Sequence, residues 1–167
     1  EVAEQLCLAL RWPKQVRFVK TGSEATEAAI RIARRATGRD IILTVGAGYH
    51  SWHSWFQAVK PEHPGVPGPY CDMARGFPYN DLQELEYQLT MIGAGEYVGC
   101  PAGAAAVIME PALFEHPQPK FLQGVRALCD QRGALLIFDE MVLGFRLALG
   151  GGTDYFGVQP DLACYGK

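Results

Sequence analysis

The chain has 167 residues and a formal net charge of −3, with 49% hydrophobic and 20% charged residues. This length suits one domain, and the composition is that of a globular protein rather than a disordered one. The mild acidity argues against nucleic-acid binding, which needs a concentrated basic surface, and the apolar runs are too short to span a membrane. Because the chain begins at Glu1 rather than Met and ends at Lys167, we expect it to be part of a longer protein.

The amino-terminal third predicts a strand, a helix and a second strand. The strand is the β-branched run Val16–Val19, and Thr21 and Glu24 then form the pattern of a helix capping box. Gly38 is placed to end the helix, and Ile41–Val45 is the next predicted strand. Small and aliphatic residues at three- and four-residue spacings predict the buried face of the helix. They are Ala25, Ala28, Ala29, Ile32, Ala33 and Ala36.

The rest of the chain predicts a loop region and then alternating helices and strands. Residues 60–78 are rich in proline and glycine, which favours irregular structure. Asn80 and Gln83 predict the start of a helix whose apolar face carries Leu82, Leu85, Leu89 and Ile92. Three strands are predicted at Ala104–Met109, Ala134–Phe138 and Leu162–Tyr165, with a helix that ends at Gly133 before the second of them. Such alternation predicts an α/β fold, a mostly parallel sheet with helices on both faces.

Residues suited to ligand binding or catalysis directly follow four of the predicted strands. They are Gly22-Ser23, Glu110, Asp139 and Lys167. Because ligands of parallel sheets bind outside the carboxyl ends of the strands, we expect all four at one edge. The helix start at Gly22 and Ser23 suits a phosphate group, although a capped helix start without a ligand is commoner. No Walker loop occurs in the chain.

Asp139 and Lys167 each allow more than one interpretation. A carboxylate at the end of an apolar strand needs a partner. Asp139 is therefore a structural ion pair or helix cap, a magnesium ligand of a kind that usually accompanies a Walker loop, or the partner of a protonated heterocycle. Lys167 is either a solvated surface group or a nucleophile that forms a Schiff base.

Aromatic residues and histidines follow the second predicted strand. A planar ligand would stack on one ring of this cluster, which consists of Tyr49, His50, Trp52, His53, Trp55 and Phe56. Trp52, Trp55 and Phe56 are more simply explained by packing in the core or an interface. A phosphate, a flat ring, a protonated ring nitrogen and an aldehyde together predict pyridoxal 5′-phosphate. His50 and His53 have H-x-x-H spacing but no clear further ligands, so no metal site is predicted.

The five cysteines, Cys7, Cys71, Cys100, Cys129 and Cys164, include no C-x-x-C pair. Their odd number and apolar surroundings predict free thiols in a reducing compartment, which indicates a cytoplasmic protein.

The sequence resembles the class III aminotransferases of the aspartate-aminotransferase fold type (fold type I), especially the glutamate-1-semialdehyde aminomutases and their relatives. The resemblance is carried by five segments, in the family's order: residues 16–40, 48–50, 105–111, 133–146 and 155–167. It implies that Gly22 and Ser23 bind the cofactor phosphate and that Tyr49 stacks on the ring, with His50 beside it. It also implies that Asp139 pairs with the pyridine nitrogen, that Met141 lies against the other ring face, and that Lys167 is the catalytic Schiff-base lysine.

The resemblance further implies amino-group transfer between a small-molecule amino donor and a carbonyl acceptor, by a transaminase or an aminomutase that works as a homodimer. Residues 1–167 would then form part of a large cofactor-binding domain, without an amino-terminal segment and a small carboxyl-terminal domain. We expect these residues alone to bind cofactor poorly and to be inactive. The alternative is a non-catalytic phosphate- or nucleotide-binding α/β domain, which would need neither Lys167 nor Asp139.

Overall fold

The computed structural model describes residues 1–46, 48–60, 62, 65–94 and 101–167. Seven helices lie in this part of the chain: α1 (Val2–Leu10), α2 (Gly22–Thr37), α3 (Ser54–Gln57), α4 (Gly68–Cys71), α5 (Leu82–Gly93), α6 (Phe121–Arg132) and α7 (Gly151–Phe156). Its five strands are β1 (Ile41–Val45), β2 (Ala74–Phe77), β3 (Ala104–Met109), β4 (Leu135–Glu140) and β5 (Leu162–Tyr165). None of the described helices is long and apolar enough to cross a membrane.

The five strands form one parallel sheet in the order β2-β1-β3-β4-β5. Helices cover both faces of it, as the sequence predicts. Helices α2 and α3 contribute Ile30 and Phe56 to the core on one face. Helices α5 and α6 contribute Leu85 and Val125 to the core on the other. Every residue of β3 is buried because this central strand is covered on both sides.

Helix α2 begins and ends where the sequence predicts. The Thr21 side chain accepts a hydrogen bond from the N–H of Glu24, and the Glu24 carboxylate accepts one from the N–H of Thr21. Gly38 ends the helix in the left-handed conformation, at a φ of 69°. The buried face is rotated from the predicted one, however: it consists of Thr26, Ala29, Ile30 and Ala33, whereas Ile32 is 48% exposed.

The predicted strand at Val16–Val19 is wrong. This segment has no regular structure, and Phe18 is 61% exposed. β-Branched residues favour a strand only where a pairing partner exists, and β1 pairs instead with β2 and β3. Gly22 and Ser23 therefore do not follow a strand, although they still reach the same edge of the sheet as the other three candidate positions.

The structure differs from prediction at three other places. Residues 60–78 include α4 and the edge strand β2, which pairs in parallel with β1. Asp81, rather than Asn80, caps α5: its carboxylate accepts the N–H of Glu84 at 2.9 Å. Strand β4 runs to Glu140, so Asp139 lies within the strand and is paired with Cys164 of β5.

The buried end of β4 orders the chain that follows it. Glu140 is fully buried, and its carboxylate accepts hydrogen bonds from the N–H of Gly152 and from the N–H and hydroxyl of Thr153, at 2.8–2.9 Å. Burial raises the pKa of this carboxyl, against the effect of these bonds. The start of α7 is thereby held against the strand that carries Asp139.

Arg39 connects the opposite, amino-terminal ends of β3 and β4. Its guanidinium donates to the carbonyl oxygens of Ala104, Arg132 and Gly133 at 2.9–3.1 Å. A Cβ atom at Gly103 would lie 2.8 Å from the guanidinium carbon, so glycine leaves room for this contact.

Candidate active site

An open groove of about 2170 Å³ runs from α1 and the segment before α2, along α2 and β5, to the carboxyl ends of β3 and β4. It brings together every site residue that the sequence indicates, although they come from five separate segments. These residues are Gly22, Ser23, Tyr49, His50, Glu110, Asp139, Met141 and Lys167. The parallel sheet explains this convergence for Glu110, Asp139 and Lys167, which stand at or just beyond the ends of three neighbouring strands.

The amino terminus of α2 offers unused hydrogen-bond donors to the groove. The capping box satisfies the N–H of Glu24, but no acceptor among the described residues meets the N–H groups of Gly22 and Ser23. The Ser23 hydroxyl oxygen accepts the N–H of Trp52 at 3.1 Å, which leaves its own proton available to donate. Together with the positive end of the helix dipole, these donors suit an anion such as a phosphate.

Asp139 and His50 form a buried pair at the floor of the groove. Asp139 is 2% exposed and His50 is 3% exposed, and Asp139 Oδ2 lies 2.8 Å from His50 Nδ1. Because an ionised carboxylate only accepts hydrogen bonds, the paired Nδ1 is the nitrogen that carries a proton. The other carboxylate oxygen accepts the N–H of Met141 at 3.0 Å. Asp139 is thus held rigidly, with its charge close to the groove.

The second ring nitrogen of His50 is buried and meets no hydrogen-bond partner among the described residues. His53, the other histidine of the H-x-x-H pattern, bonds instead to the hydroxyl of Ser51 at 2.7 Å. The two histidines therefore have different partners. No cluster of three or more potential metal ligands occurs in the described parts of the chain.

Tyr49 presents its ring to the groove, with 59% of the side chain exposed. Its ring packs edge-on against Phe56, with the centroids 5.7 Å apart. Phe56 and Trp55 are buried, as the sequence predicts, whereas Trp52 is 78% exposed and does not pack in the core, so its packing in an interface stays a prediction. Tyr49 is thus the aromatic ring of this cluster that is both supported from below and open to a flat ligand.

Met141 packs between two glycines of the groove. A Cβ atom at Gly22 would lie 3.2 Å from the Met141 sulfur, and one at Gly166 would lie 2.5 Å from it. The absence of side chains at both positions lets the thioether join the start of α2 to the end of β5. Met141 therefore forms part of the groove wall next to Asp139.

Glu110 is a second carboxyl group in the groove. Burial raises the pKa of this carboxyl, and the negative charge of Asp139 raises it further. His50, Lys167 and a hydrogen bond from the backbone N–H of Tyr49 act in the opposite direction but do not reverse the shift. The sequence indicates Glu110 by its place after β3, while its bond to Tyr49 becomes visible only in the fold.

The raised pKa of Glu110 predicts a pH-dependent contribution to stability. The folded chain holds the Glu110 proton at pH values where the unfolded chain has lost it, so this contribution is complete below the ordinary value of 4.5 and is lost as pH rises through the higher folded-state pKa. We expect Glu110→Gln to remove this slope from urea-unfolding free energies measured between pH 4.5 and about 8. Glu86→Gln, at an exposed position of α5, is the matched control. If the unfolding free energies of wild type and Glu110→Gln change with pH in the same way, Glu110 does not have a raised pKa in the folded chain.

Lys167 follows β5 and faces the groove with its side chain exposed. Side chains of β5 are less exposed than that of Lys167. Burial raises the pKa of both the Cys164 thiol and the Tyr165 hydroxyl to about 12. Cys7, Cys129 and Cys164 are free thiols, while Cys100 lies outside the described residues.

The sequence profile of the family described as Aminotransferase class-III matches residues 1–167, the whole of this chain. The chain belongs to the class III aminotransferase family. An omega-transaminase from Sphaerobacter thermophilus has 29% sequence identity and a TM-score of 0.87, with 99% of this chain and 40% of that one covered. The FumI protein of Sphingopyxis sp. MTA144, whose structure contains PLP, has 32% identity and a TM-score of 0.82, with 100% and 40% covered.

A glutamate-1-semialdehyde aminomutase from Pseudomonas aeruginosa PAO1 shares the fold, with a TM-score of 0.76, 22% identity, and coverage of 96% of this chain and 36% of that one. The chain spans about 40% of the length of the omega-transaminase and of the FumI protein.

Membership of the class III family implies pyridoxal phosphate as the cofactor, and the groove fits such a group. Free N–H groups at α2 match a phosphate, and the exposed Tyr49 ring matches a flat heterocycle. The buried Asp139 carboxylate matches a protonated ring nitrogen, and Lys167 matches an aldehyde.

Proposed function

We propose that the full-length protein is a pyridoxal-phosphate-dependent transaminase, which moves an amino group from a small amine or amino acid to a carbonyl acceptor. The observation that carries this proposal is the convergence in one groove of Asp139, Lys167, Tyr49 and the α2 amino terminus. A phosphate- or nucleotide-binding domain without catalysis would need only the last of these. Transfer between two substrates is favoured over intramolecular transfer because the similar proteins at 29% and 32% identity include a transaminase, whereas the aminomutase shares 22%.

When bound, pyridoxal phosphate supplies an aldehyde that accepts the amino group and a ring that takes up electrons when the substrate carbon loses its proton. The N–H groups of Gly22 and Ser23, with the Ser23 hydroxyl, bind the phosphate and fix the depth of the ring. Tyr49 and Met141 contact its two faces. Asp139, oriented by His50 and by the N–H of Met141, places its negative charge at the ring nitrogen.

Lys167 has two tasks in this proposal. Its amine would hold the cofactor through the cofactor's aldehyde group. When not so engaged, Nζ would act as the base that takes the proton from the substrate carbon that bears nitrogen and, as its conjugate acid, would hold that proton for return to the cofactor–substrate adduct. The open end of the groove leaves room for the remainder of the protein to complete the substrate pocket.

The test is made on the full-length protein supplied with pyridoxal phosphate, an amino donor and a separate carbonyl acceptor. We expect visible absorption from bound cofactor, a borohydride-stable adduct on Lys167, and a new amine formed from the acceptor. If the nitrogen returns only to the donor's own skeleton, the protein is an aminomutase and the transaminase proposal is overturned. If neither absorption nor a trapped lysine appears, the non-catalytic alternative is correct.

A further inference from the structure

Lys60 is a half-buried cation that lies outside the groove but is connected to its wall. Its Nζ donates to the carbonyl oxygen of Gly48 at 2.8 Å and to that of Gly46 at 3.3 Å. These two carbonyls belong to the turn that leads from β1 to Tyr49. Among the described residues, no carboxylate lies within ion-pair distance of Lys60, so its charge is directed entirely at this turn and at an aromatic ring.

That ring is Phe56, whose centroid lies 4.6 Å from Lys60 Nζ. A cation over an aromatic face is attracted by the negative charge density of the ring, and the attraction is stronger where water is partly excluded. Phe56 is fully buried, and its ring makes edge contacts with Tyr49 at 5.7 Å and with His50 at 5.3 Å between centroids. One ammonium group therefore holds both the backbone that leads to Tyr49 and His50 and the ring on which they rest.

The rest of the Tyr49–His50 segment is held from other directions. The carbonyl of His50 accepts the hydroxyl of Thr26 at 2.8 Å, and the His50 ring bonds to Asp139 at 2.8 Å. None of these contacts restrains the turn before Tyr49. The backbone itself holds Gly46 and Gly48 through their N–H groups, which donate to the carbonyls of Phe77 and Val45 at 3.1 Å. Lys60 holds the carbonyl side of the same two glycines, because its flexible stem lets one charge reach both carbonyls and a ring.

We propose that Lys60 is a positioning residue of the cofactor site, which acts through the carbonyls of Gly46 and Gly48 and through Phe56 to set the place of the Tyr49 ring and the His50–Asp139 pair. The inference rests on the proposed function, since Tyr49 and Asp139 are the residues assigned to the ring of pyridoxal phosphate. It assigns to Lys60 no contact with cofactor or substrate.

The test compares Lys60→Met, Lys60→Arg and wild type as full-length proteins. Methionine keeps an unbranched stem but removes the charge and all three donors. We expect Lys60→Met to weaken pyridoxal phosphate binding about tenfold, because bonds from a charged donor to two carbonyls are lost. The visible absorption band of the bound cofactor should also shift.

Arginine keeps a charge, N–H donors and the ability to stack on an aromatic ring, so Lys60→Arg should restore most of the cofactor affinity and the position of the absorption band. Lys120→Met, at an exposed position before α6, should change neither.

A purely structural role would give a different result. It would lower the unfolding temperature of Lys60→Met while the cofactor affinity and absorption band of the folded protein stayed as in wild type, and this would overturn the proposal. If Lys60→Met does not fold, Lys60→Gln, which keeps a donor but no charge, decides the question by the same two measurements. Failure of the proposed function itself would be seen separately, as a wild-type protein that shows no cofactor absorption.

Discussion

Replacing Lys167 with alanine should abolish covalent attachment of pyridoxal phosphate and lower amino-transfer turnover by at least about a thousandfold, because one amine both holds the cofactor and moves the substrate proton. The side chain is exposed at the end of β5, so its loss should leave the fold intact. The measurements are borohydride trapping followed by peptide mass analysis, and turnover with saturating donor and acceptor. Unchanged unfolding in urea would show that the loss is chemical rather than structural.

Lys14→Ala is the matched control, since Lys14 is also an exposed lysine, in the segment between α1 and α2. It should keep both the trapped adduct and the turnover. A Lys167→Ala protein that still yields a borohydride-stable adduct at wild-type level would assign the attachment to another lysine and remove Lys167 from the site.

Replacing Asp139 with asparagine should lower turnover by about a hundredfold or more, because the site loses the negative charge proposed to face the ring nitrogen while its shape is kept. Asparagine still offers an oxygen to the N–H of Met141, which bonds to Asp139 at 3.0 Å. The His50 ring can reverse its donor and acceptor roles to suit a neutral amide. Single-turnover kinetics with an amino donor would measure the proton-transfer step directly, separately from cofactor affinity.

Asp130→Asn provides the control for the removal of a carboxylate charge, because Asp130 pairs with Arg126 on the exposed side of α6. Its turnover should equal that of wild type. If Asp139→Asn retains wild-type single-turnover rates, the carboxylate serves only to anchor His50, and the proposed role at the ring nitrogen is wrong.

Local sequence patterns predicted the parts of the fold that depend on local forces. Thr21 and Glu24 form their capping box within three residues, and the run Ala104–Met109 is apolar enough to require burial on both faces. By contrast, Val16–Val19 and β2 were assigned wrongly. The four residues of β2 include Gly76 and follow a proline-rich stretch, and they form a strand because β1 offers them a free edge.

The position of several candidate site residues was predictable, because a helix start and three strand ends meet at one edge of a parallel sheet, and the structure brings these residues into one groove. Their connections were not predictable, because they join distant positions. Asp139 lies 89 residues from His50, and the Glu110 carboxylate meets the backbone of Tyr49 across two strands. Lys60 gave no signal at all, since a single lysine in a proline-rich stretch is usually solvated. Its importance depends on two carbonyls and a ring that the sequence alone does not bring near it.

The contact of Arg39 with the amino-terminal ends of β3 and β4 lies far from the groove. Glu110 stands six positions after Ala104, which Arg39 contacts, and in a strand this corresponds to a distance of about 20 Å. The Arg39 contacts therefore hold these strands together at the end opposite the proposed cofactor site. A substitution at Arg39 can change stability without touching that site, so its effect should add to the effect of a substitution in the groove.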